Sequence, residues 1–391
     1  MGVKVETLYA YVSRGVLESY PGDGRARLVD ARAVDALARR GRPRQSSRDT
    51  SLNLLIETSI TSISTDGVRY RGHLSSDLAR TCSFEQVAEL LWTGSLPHSS
   101  PPWNGSVMAT GLGHDLPTAI RLIAAHVAAA APSAGFDIAA AGRAMIASMT
   151  DSLALVGSAK VVRLPLVDQP PISRSIAARL WGKLSVRPPT QKLVSTLNTS
   201  LVLLADHDLA TSTLGVRVAA STRANPYAAV TAGLSILSGS LHGGASRPAR
   251  ALIDDALTSG ASRAVSTLVK RGERMPGFGH TIYPALDPRA AVLLERVAEL
   301  PGSGRAVAAA DSIRADVLRR FDRHANVDFA MALFTHVAGM SADAAEAMMA
   351  VARTAGWLAH ALEEYQQPPL RFRPRSLYTG TKSAASAHRS N

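Results

Sequence analysis

Residues 341–365, SADAAEAMMAVARTAGWLAHALEEY, read as one long helix, with Ser341 as the expected N-cap and Asp343 in the first turn. Its interior is mostly Ala, Met, Val, Trp and Leu, so nearly every face is expected to be buried. Arg353 stands in the middle of that apolar surface. A guanidinium does not discharge by losing a proton, so this one needs an anion. Two partners fit: an internal Asp or Glu, or a carboxylate on a ligand.

From this helix outward the periodicity stays helical. Apolar residues recur at helical spacing in Phe84 to Trp92, Ala119 to Ala131, Ile138 to Leu155, Ile176 to Leu184 and Thr190 to Asp206. A small hairpin is expected from strands Ile60 to Ile63 and Val68 to Tyr70, with Gly67 at the turn. The stretches Leu96 to Trp103 and Leu164 to Ile172 are Pro-rich linkers. No internal repeat, heptad run or βαβ alternation appears, and the expected fold class is all-α. Aromatics make up only 5% of the 391 residues against 46% hydrophobic overall, which favours helices packed through small side chains over a β-sandwich.

Several function classes are set aside by composition. Cys82 is the single cysteine, so an internal disulfide and a multi-cysteine metal site are excluded. No stretch reads as a membrane span or a signal peptide, and a soluble, cytoplasmic protein is expected. The formal net charge is +12. Residues 1–48 carry +5, residues 371–391 another +5, and the 322 between them only +2. Basicity placed at both ends suits nucleic acid or polyanionic ligands, and also suits a plainly solvated tail.

Three short segments interrupt the helical rhythm with Gly set around His, or an acid set in apolar sequence. They are Gly239 to Ser246 (GSLHGGAS), Pro276 to Ala290 (PGFGHTIYPALDPRA) and Asn326 to Phe329 (NVDF). Glycine beside histidine lets backbone come close to a ligand. A carboxylate among apolar neighbours, as at Asp328, either has a hydrogen-bond partner or is poised as a base.

These segments, in this order, resemble the signature of the citrate synthase family, and the similarity extends over about residues 50–380. Supporting matches are Ser62 to Gly72 (SISTDGVRYRG), Phe84 to Pro97 (FEQVAELLWTGSLP), Leu203 to Leu209 (LLADHDL), Ala352 to Trp357 (ARTAGW) and Arg373 to Gly380 (RPRSLYTG). The resemblance implies a two-lobed helical fold, with the smaller lobe at about residues 242–334. It also implies an acyltransferase that joins acetyl-CoA to oxaloacetate in a Claisen condensation and hydrolyses the citryl-CoA to citrate and CoA. No cofactor or metal is implied, since acyl-CoA is a substrate.

By the same resemblance, Asp328 is the base that takes a proton from the thioester methyl group. His242 donates a hydrogen bond to the thioester oxygen, and His280 polarises the oxaloacetate ketone. Oxaloacetate would be held by His207, His280, Arg289, Arg353 and Arg373, the last from the neighbouring subunit of a homodimer. Gly277, Phe278 and Gly279 would approach CoA. A thioester α-proton is far less acidic than a carboxylic acid, so the developing charge has to be met by donors already in place.

The sequence departs from the family pattern at Ser246 and Arg247, where HGGANE is usual, and at Leu204, Ala210 and Thr281. The Arg247 charge is expected to lower the pKa of His242 and favour its neutral form. Three other readings stand beside the synthase: 2-methylcitrate formation from propionyl-CoA, a DNA-linked metabolite sensor, and an inactive partner subunit. The sensor reading draws on residues 1–48. There Glu6 to Arg14, Gly15, a turn at Tyr20 to Arg25 and Asp30 to Arg40 resemble part of a MerR or excisionase helix-turn-helix, followed by a linker at Gly41 to Asp49.

Overall fold

The computed structural model describes residues 55–64, 67–99, 103–105, 115–131, 135–156, 175–376 and 379–380, with short N-terminal pieces at 11–13, 16–21, 27–30 and 33. Most of the helix-turn-helix reading and its linker lies outside the described residues. Within it, Tyr11 to Ser13 are helical, and strands β1 (Ser19–Pro21) and β2 (Arg27–Val29) pair antiparallel around the turn expected after Tyr20.

The expected hairpin is present as β3 (Thr61–Ser64) and β4 (Gly67–Tyr70), joined by a short β5 (His73–Leu74). Register pairs Thr61 with Tyr70, and both side chains are buried. They reach the centre of the molecule: the Tyr70 hydroxyl donates towards the carbonyls of Val202, Leu203 and Asp206, and Thr61 Oγ1 donates to Asp206 Oδ2.

The other regular elements among the described residues are helical, and local signals account for most boundaries. After α1 (Ser75–Thr81), α2 (Phe84–Thr93) starts on a capping box between Ser83 and Gln86 and stops at left-handed Gly94. Helix α3 (Leu116–Ala130) begins three residues before Ala119, because Asp115 accepts from Thr118 N and Pro117 suits a first turn. Helix α4 (Ile138–Asp151) ends four residues short of Leu155. Then follow α5 (Ile176–Leu184), α6 (Gln191–Leu204) capped by Thr190, α7 (Thr211–Ser221) and α8 (Pro226–Leu237). The later helices are α9 (Ser246–Ser259), α10 (Ala261–Lys270), α11 (Pro288–Ala298), α12 (Gly304–Phe321), α13 (Val327–Val337) and α14 (Ala344–Tyr365).

Helix α14 is the axis of the fold, packed against α2, α3, α4, α6, α7 and α8. From Ala344 to Ala361 every residue is buried. Ser341 does not cap it. The carbonyl of Ser341 instead accepts from Ala344 N, and the N-cap is Asp343, whose carboxylate is drawn away to Leu116 N on α3. Helices α9 to α13 pack chiefly on one another, with α13 against both α9 and α11.

One close approach fixes where α14 passes the turn after α6. Gly356 N donates to Ala205 O at 3.0 Å, and a Cβ at Gly356 would lie 2.2 Å from Asp206 Oδ1 and 2.6 Å from Ala205 O. Gly→Ala inside a helix ordinarily stabilises by about 1 kcal/mol. At this position overpacking reverses the sign, and Gly356→Ala is expected to destabilise by about 1–3 kcal/mol, read as a lower denaturant midpoint. A raised midpoint would mean that the turn yields freely.

Candidate active site

A cavity of about 570 Å³ opens where α11, α13 and the turn after α8 face α14 and the turn between α6 and α7. His207, His242, His280, Arg289, Asp328 and Arg353 all line it, so six side chains scattered over nearly 150 positions of sequence are gathered at one place. Its size suits a small organic ligand. Leu241 and Ile282, both exposed, also line it.

Asp328 sits in the first turn of α13, next to the N-cap. Asn326 builds that cap: its Oδ1 accepts from Asp328 N and Phe329 N, and its Nδ2 donates to Gly279 O at 3.0 Å. The Asp328 carboxylate itself has no hydrogen-bond partner among the described residues. Desolvation pushes its pKa up to about 6, assisted by Asp287 and opposed by Arg289 and Arg353. An unbonded carboxylate with a raised pKa at a cavity wall is the arrangement a general base needs.

His242 follows α8 in a turn whose φ of −125° and ψ of −109° set the ring towards the cavity. Ser212 Oγ, fully buried at the start of α7, lies 2.8 Å from His242 Nε2. Burial, with Arg353 second, brings the His242 pKa down to about 4, so the ring is neutral at neutral pH. If the serine hydroxyl donates to Nε2, the ring proton is on Nδ1 and is available as a donor. The expected influence of Arg247 is not what acts here. Arg247 pairs with Glu346 at 3.1 Å, and the shift at His242 has burial and Arg353 as its causes. Ser246 is buried at the first position of α9, with its hydroxyl unpartnered among the described residues.

His280 Nδ1 accepts from Ile282 N at 3.1 Å. The proton of the neutral ring is therefore on Nε2, and burial with Arg289 nearby keeps its pKa low. The turn carrying it is clamped to the strand-like residues before α13: Gly279 N donates to His324 O and Asn326 N to Gly277 O. Gly277 and Gly279 both have positive φ, 78° and 80°. A Cβ at Gly277 would meet Phe329 Cβ at 2.7 Å. This close approach fixes His280 relative to Asp328. Phe278 does not face the cavity; it is buried, its ring centroid 4.8 Å from that of Phe329. None of Gly277, Phe278 and Gly279 lines the cavity.

His207 is buried, with Nε2 only 2.9 Å from the Tyr283 hydroxyl, and its ring meets His280 edge-on at 5.3 Å. Desolvation, with Arg289 and Arg353 adding to it, holds His207 well below the usual histidine range. Tyr283 was not singled out by sequence; burial pushes its hydroxyl up to about 12, so it stays protonated.

The arginines are set differently from one another. Arg289 forms a bidentate pair with Asp287, Nε to Oδ1 at 3.0 Å and Nη2 to Oδ2 at 2.8 Å, which leaves Nη1 without a partner among the described residues. Asp287 Oδ2 also accepts from Val327 N, tying Arg289 to the residue beside Asp328. Arg353 donates Nε to Leu204 O at 2.9 Å. No carboxylate of the described residues lies within 4 Å of it, so the internal ion pair is absent and both Nη atoms remain for the cavity. Arg373 is exposed in the segment after α14 and does not line this cavity. Of the departures from the family pattern, Leu204 supplies that carbonyl, Ala210 is an N-cap with no side-chain bond, and Thr281 lines the cavity.

Two further residues, Ser212 and Tyr283, complete the geometry. Ser212 is thirty positions from its partner, and only its place on the first turn of α7 brings it to His242. Tyr283 is three residues after His280 in a segment already marked by its histidine, which was the available signal.

Comparison with known proteins gives the family and the fold. The family model for the citrate synthase C-terminal domain matches residues 52–375. The citrate synthase of Haloferax volcanii is 32% identical over 341 residues, covering 80% of this chain and 89% of that one. A 2-methylcitrate synthase of Shewanella oneidensis is 27% identical over 376 residues, covering 90% and 97%. The solved citrate synthase of Thermoplasma acidophilum, in a ternary complex with carboxymethyl coenzyme A and oxaloacetate, superposes with a TM-score of 0.67 at 22% identity over 85% of this chain and 95% of that chain. A family match over most of the length, a relative above 30% identity and a shared helical fold lead to one assignment: the chain belongs to the citrate synthase family of acyltransferases.

Proposed function

We propose that this chain condenses acetyl-CoA with oxaloacetate and hydrolyses the citryl-CoA formed, giving citrate and CoA. The observation that carries the reading is the convergence of an unbonded, desolvated carboxylate with two imidazoles of lowered pKa on one cavity wall. Asp328 takes a proton from the methyl carbon of the thioester. His242, through Nδ1–H, donates a hydrogen bond to the oxygen on which charge develops and stabilises the enol or enolate as it forms. The enol carbon attacks the ketone of oxaloacetate, whose oxygen receives a hydrogen bond from His280 Nε2–H. Water then cleaves the thioester and releases CoA.

Oxaloacetate is a dianion, and the free Nη atoms of Arg353 and Nη1 of Arg289 supply the charge to hold it. Arg373, exposed and basic, is assigned to the site of the partner in a homodimer, and the Gly277–Phe278–Gly279 turn to the CoA side through its backbone. His207 acts beside them with its Nε2 already engaged by Tyr283. Helices α9 to α13, about residues 242–334, form the smaller lobe that closes on the rest. The Thermoplasma relative was solved with carboxymethyl coenzyme A and oxaloacetate, which supports this substrate pair.

The choice between acetyl and propionyl thioester is tested by the ratio of kcat/KM for the two, with the product identified by mass. A ratio above one for acetyl-CoA, with citrate as product, supports the reading. A ratio below one, with 2-methylcitrate as product, replaces it by the propionyl enzyme. One methylene in an apolar pocket is worth about 1–3 kcal/mol, so the ratio is expected to lie between about 10 and 200.

The pH profile follows from Asp328. A base acts only when ionised, and its pKa is raised to about 6, so kcat/KM is expected to fall as pH drops through about 6. The His242 pKa, brought down to about 4, lies below that window, and burial with Arg289 nearby lowers that of His280 as well. Profiles of wild type measured from pH 5 to 8, with thermal melts at each pH, check this; a flat profile down to pH 5 would remove Asp328 as the base.

A further inference from the structure

Beyond the cavity, the fold encloses a run of polar and charged side chains that the chemistry above does not use. Arg217 on α7 and His360 and Glu364 on α14 are all fully buried, as is Asp206 in the turn after α6. Arg217 donates Nε and Nη2 to His360 Nδ1 at 3.1 and 2.9 Å, Nη1 to Glu364 Oε2 at 3.1 Å, and Nη2 to Glu363 as well. A guanidinium has no acceptor. His360 Nδ1 must therefore accept, which places the ring proton on Nε2, and Nε2 faces Asp206 Oδ2 at 3.4 Å.

Asp206 stands at the other end of this chain and holds the turn on both sides of His207. Its Oδ2 accepts from Thr61 Oγ1 at 2.5 Å and from the backbone N of Asp208 at 3.1 Å. Asp208 has a φ of 53°, a left-handed conformation that needs such a tether. At the opposite end, Glu364 receives Arg371 through Nε and Nη2, both at 2.6 Å. Arg371 begins the C-terminal segment that carries Arg373, and Leu370 N is bonded to Ser221 O on the helix of Arg217. A continuous path thus runs from the C-terminal segment to the His207 turn.

Burying such groups is costly, and apolar replacements of buried ion pairs are often neutral or stabilising. Here the cost is compounded: Asp206 Oδ1 has no partner among the described residues, and α14 needs Gly356 to pass it. Stability is a poor reason for this arrangement, whereas holding the His207 turn in one geometry is a sufficient one.

We propose that Arg217 and His360 are positioning residues that hold the His207 turn through Asp206, and that the Arg371–Glu364 pair makes oxaloacetate affinity depend on how the C-terminal segment is docked. This rests on the oxaloacetate reading of the cavity. The effect is one of ligand geometry, so it should appear in the KM for oxaloacetate and spare the KM for the thioester.

The test uses the full chain and four variants: His360→Phe, His360→Gln, Thr61→Val and Arg371→Gln. Each is read by steady-state kinetics, by calorimetric titration with oxaloacetate and by a thermal melt. His360→Phe is expected to raise the oxaloacetate KM and Kd by about tenfold, the size of one charge-assisted hydrogen bond, with kcat changed less than about twofold. Gln, which can both accept and donate, should recover part of the loss. Thr61→Val keeps the shape and should shift the same constants in the same direction, which covers the case of a His360 variant that does not fold. Arg371→Gln should raise KM about threefold, and combining it with His360→Phe should give less than the product of the two effects.

Unchanged oxaloacetate constants in His360→Phe and Thr61→Val, with only the melt lowered, would overturn the proposal and leave a structural role. Multiplicative effects of Arg371 and His360 would overturn the link to the C-terminal segment. A wild-type protein that binds oxaloacetate without condensing it would defeat the proposed reaction, while the calorimetric constants would still decide this inference. A wild-type protein that fails to bind oxaloacetate would defeat both.

Discussion

Asp328→Asn is expected to lower kcat by about 10²–10⁴-fold, the usual contribution of a positioned general base. The substitution keeps the shape of the side chain and leaves the Asn326 cap intact, because that cap bonds the backbone N of residue 328. It removes a carboxylate whose ionised form desolvation disfavours in the fold, so the melting temperature should be unchanged or raised. Oxaloacetate binding should survive, since the free Nη atoms that hold it belong to Arg289 and Arg353. Loss of kcat with retained oxaloacetate affinity and retained stability separates a chemical role from a structural one. An Asn variant with more than a tenth of wild-type kcat would show that another group takes the proton.

His242→Ala carries the second largest expected effect, about 10²–10³-fold in kcat, as for removal of one donor from an oxyanion site. The argument depends on the neutral ring. Burial and Arg353 keep the pKa near 4, and if Ser212 Oγ–H donates to Nε2 the ring proton is on Nδ1. A corollary distinguishes the two nitrogens. His242→Asn, whose amide can donate near the Nδ1 position, should retain more activity than His242→Ala, measured as kcat at saturating oxaloacetate. Equal losses would mean that the ring acts by shape or by its Nε2 side.

Much of this architecture is legible in the sequence because helices announce themselves by period. The centre of α14 is apolar on all faces, and the structure buries it on all faces. Its start is less legible: Ser341 carries the right side chain for a cap, but the carboxylate at Asp343 is used by α3, a contact 227 positions away. The apolar period runs past the end of α4, where Lys183 Nζ donates to the carbonyls of Asp151 and Leu153. Chain ends carry their charge openly, yet charge alone did not say what residues 1–48 do.

The candidate site divides in the same way. The histidines and Asp328 stand out because glycine or apolar neighbours isolate them, and the structure brings them to one cavity. Pairings were not legible. Ser212 with His242, Tyr283 with His207, and Asp287 with Val327 depend on backbone paths that no local pattern encodes. The same holds for Arg247, whose charge reads as a perturbation of His242 until Glu346 is seen beside it. Arg353 was the open case, and its surroundings favour a ligand over an internal acid.

The central claim is that this cavity makes a carbon–carbon bond between a thioester and oxaloacetate. Release of free CoA, followed with a thiol reagent on the full-length protein, tests it most directly. The account predicts CoA release from acetyl-CoA that depends on oxaloacetate and is absent in Asp328→Asn. Release that proceeds equally without oxaloacetate, or no release from folded protein with either thioester, would contradict it.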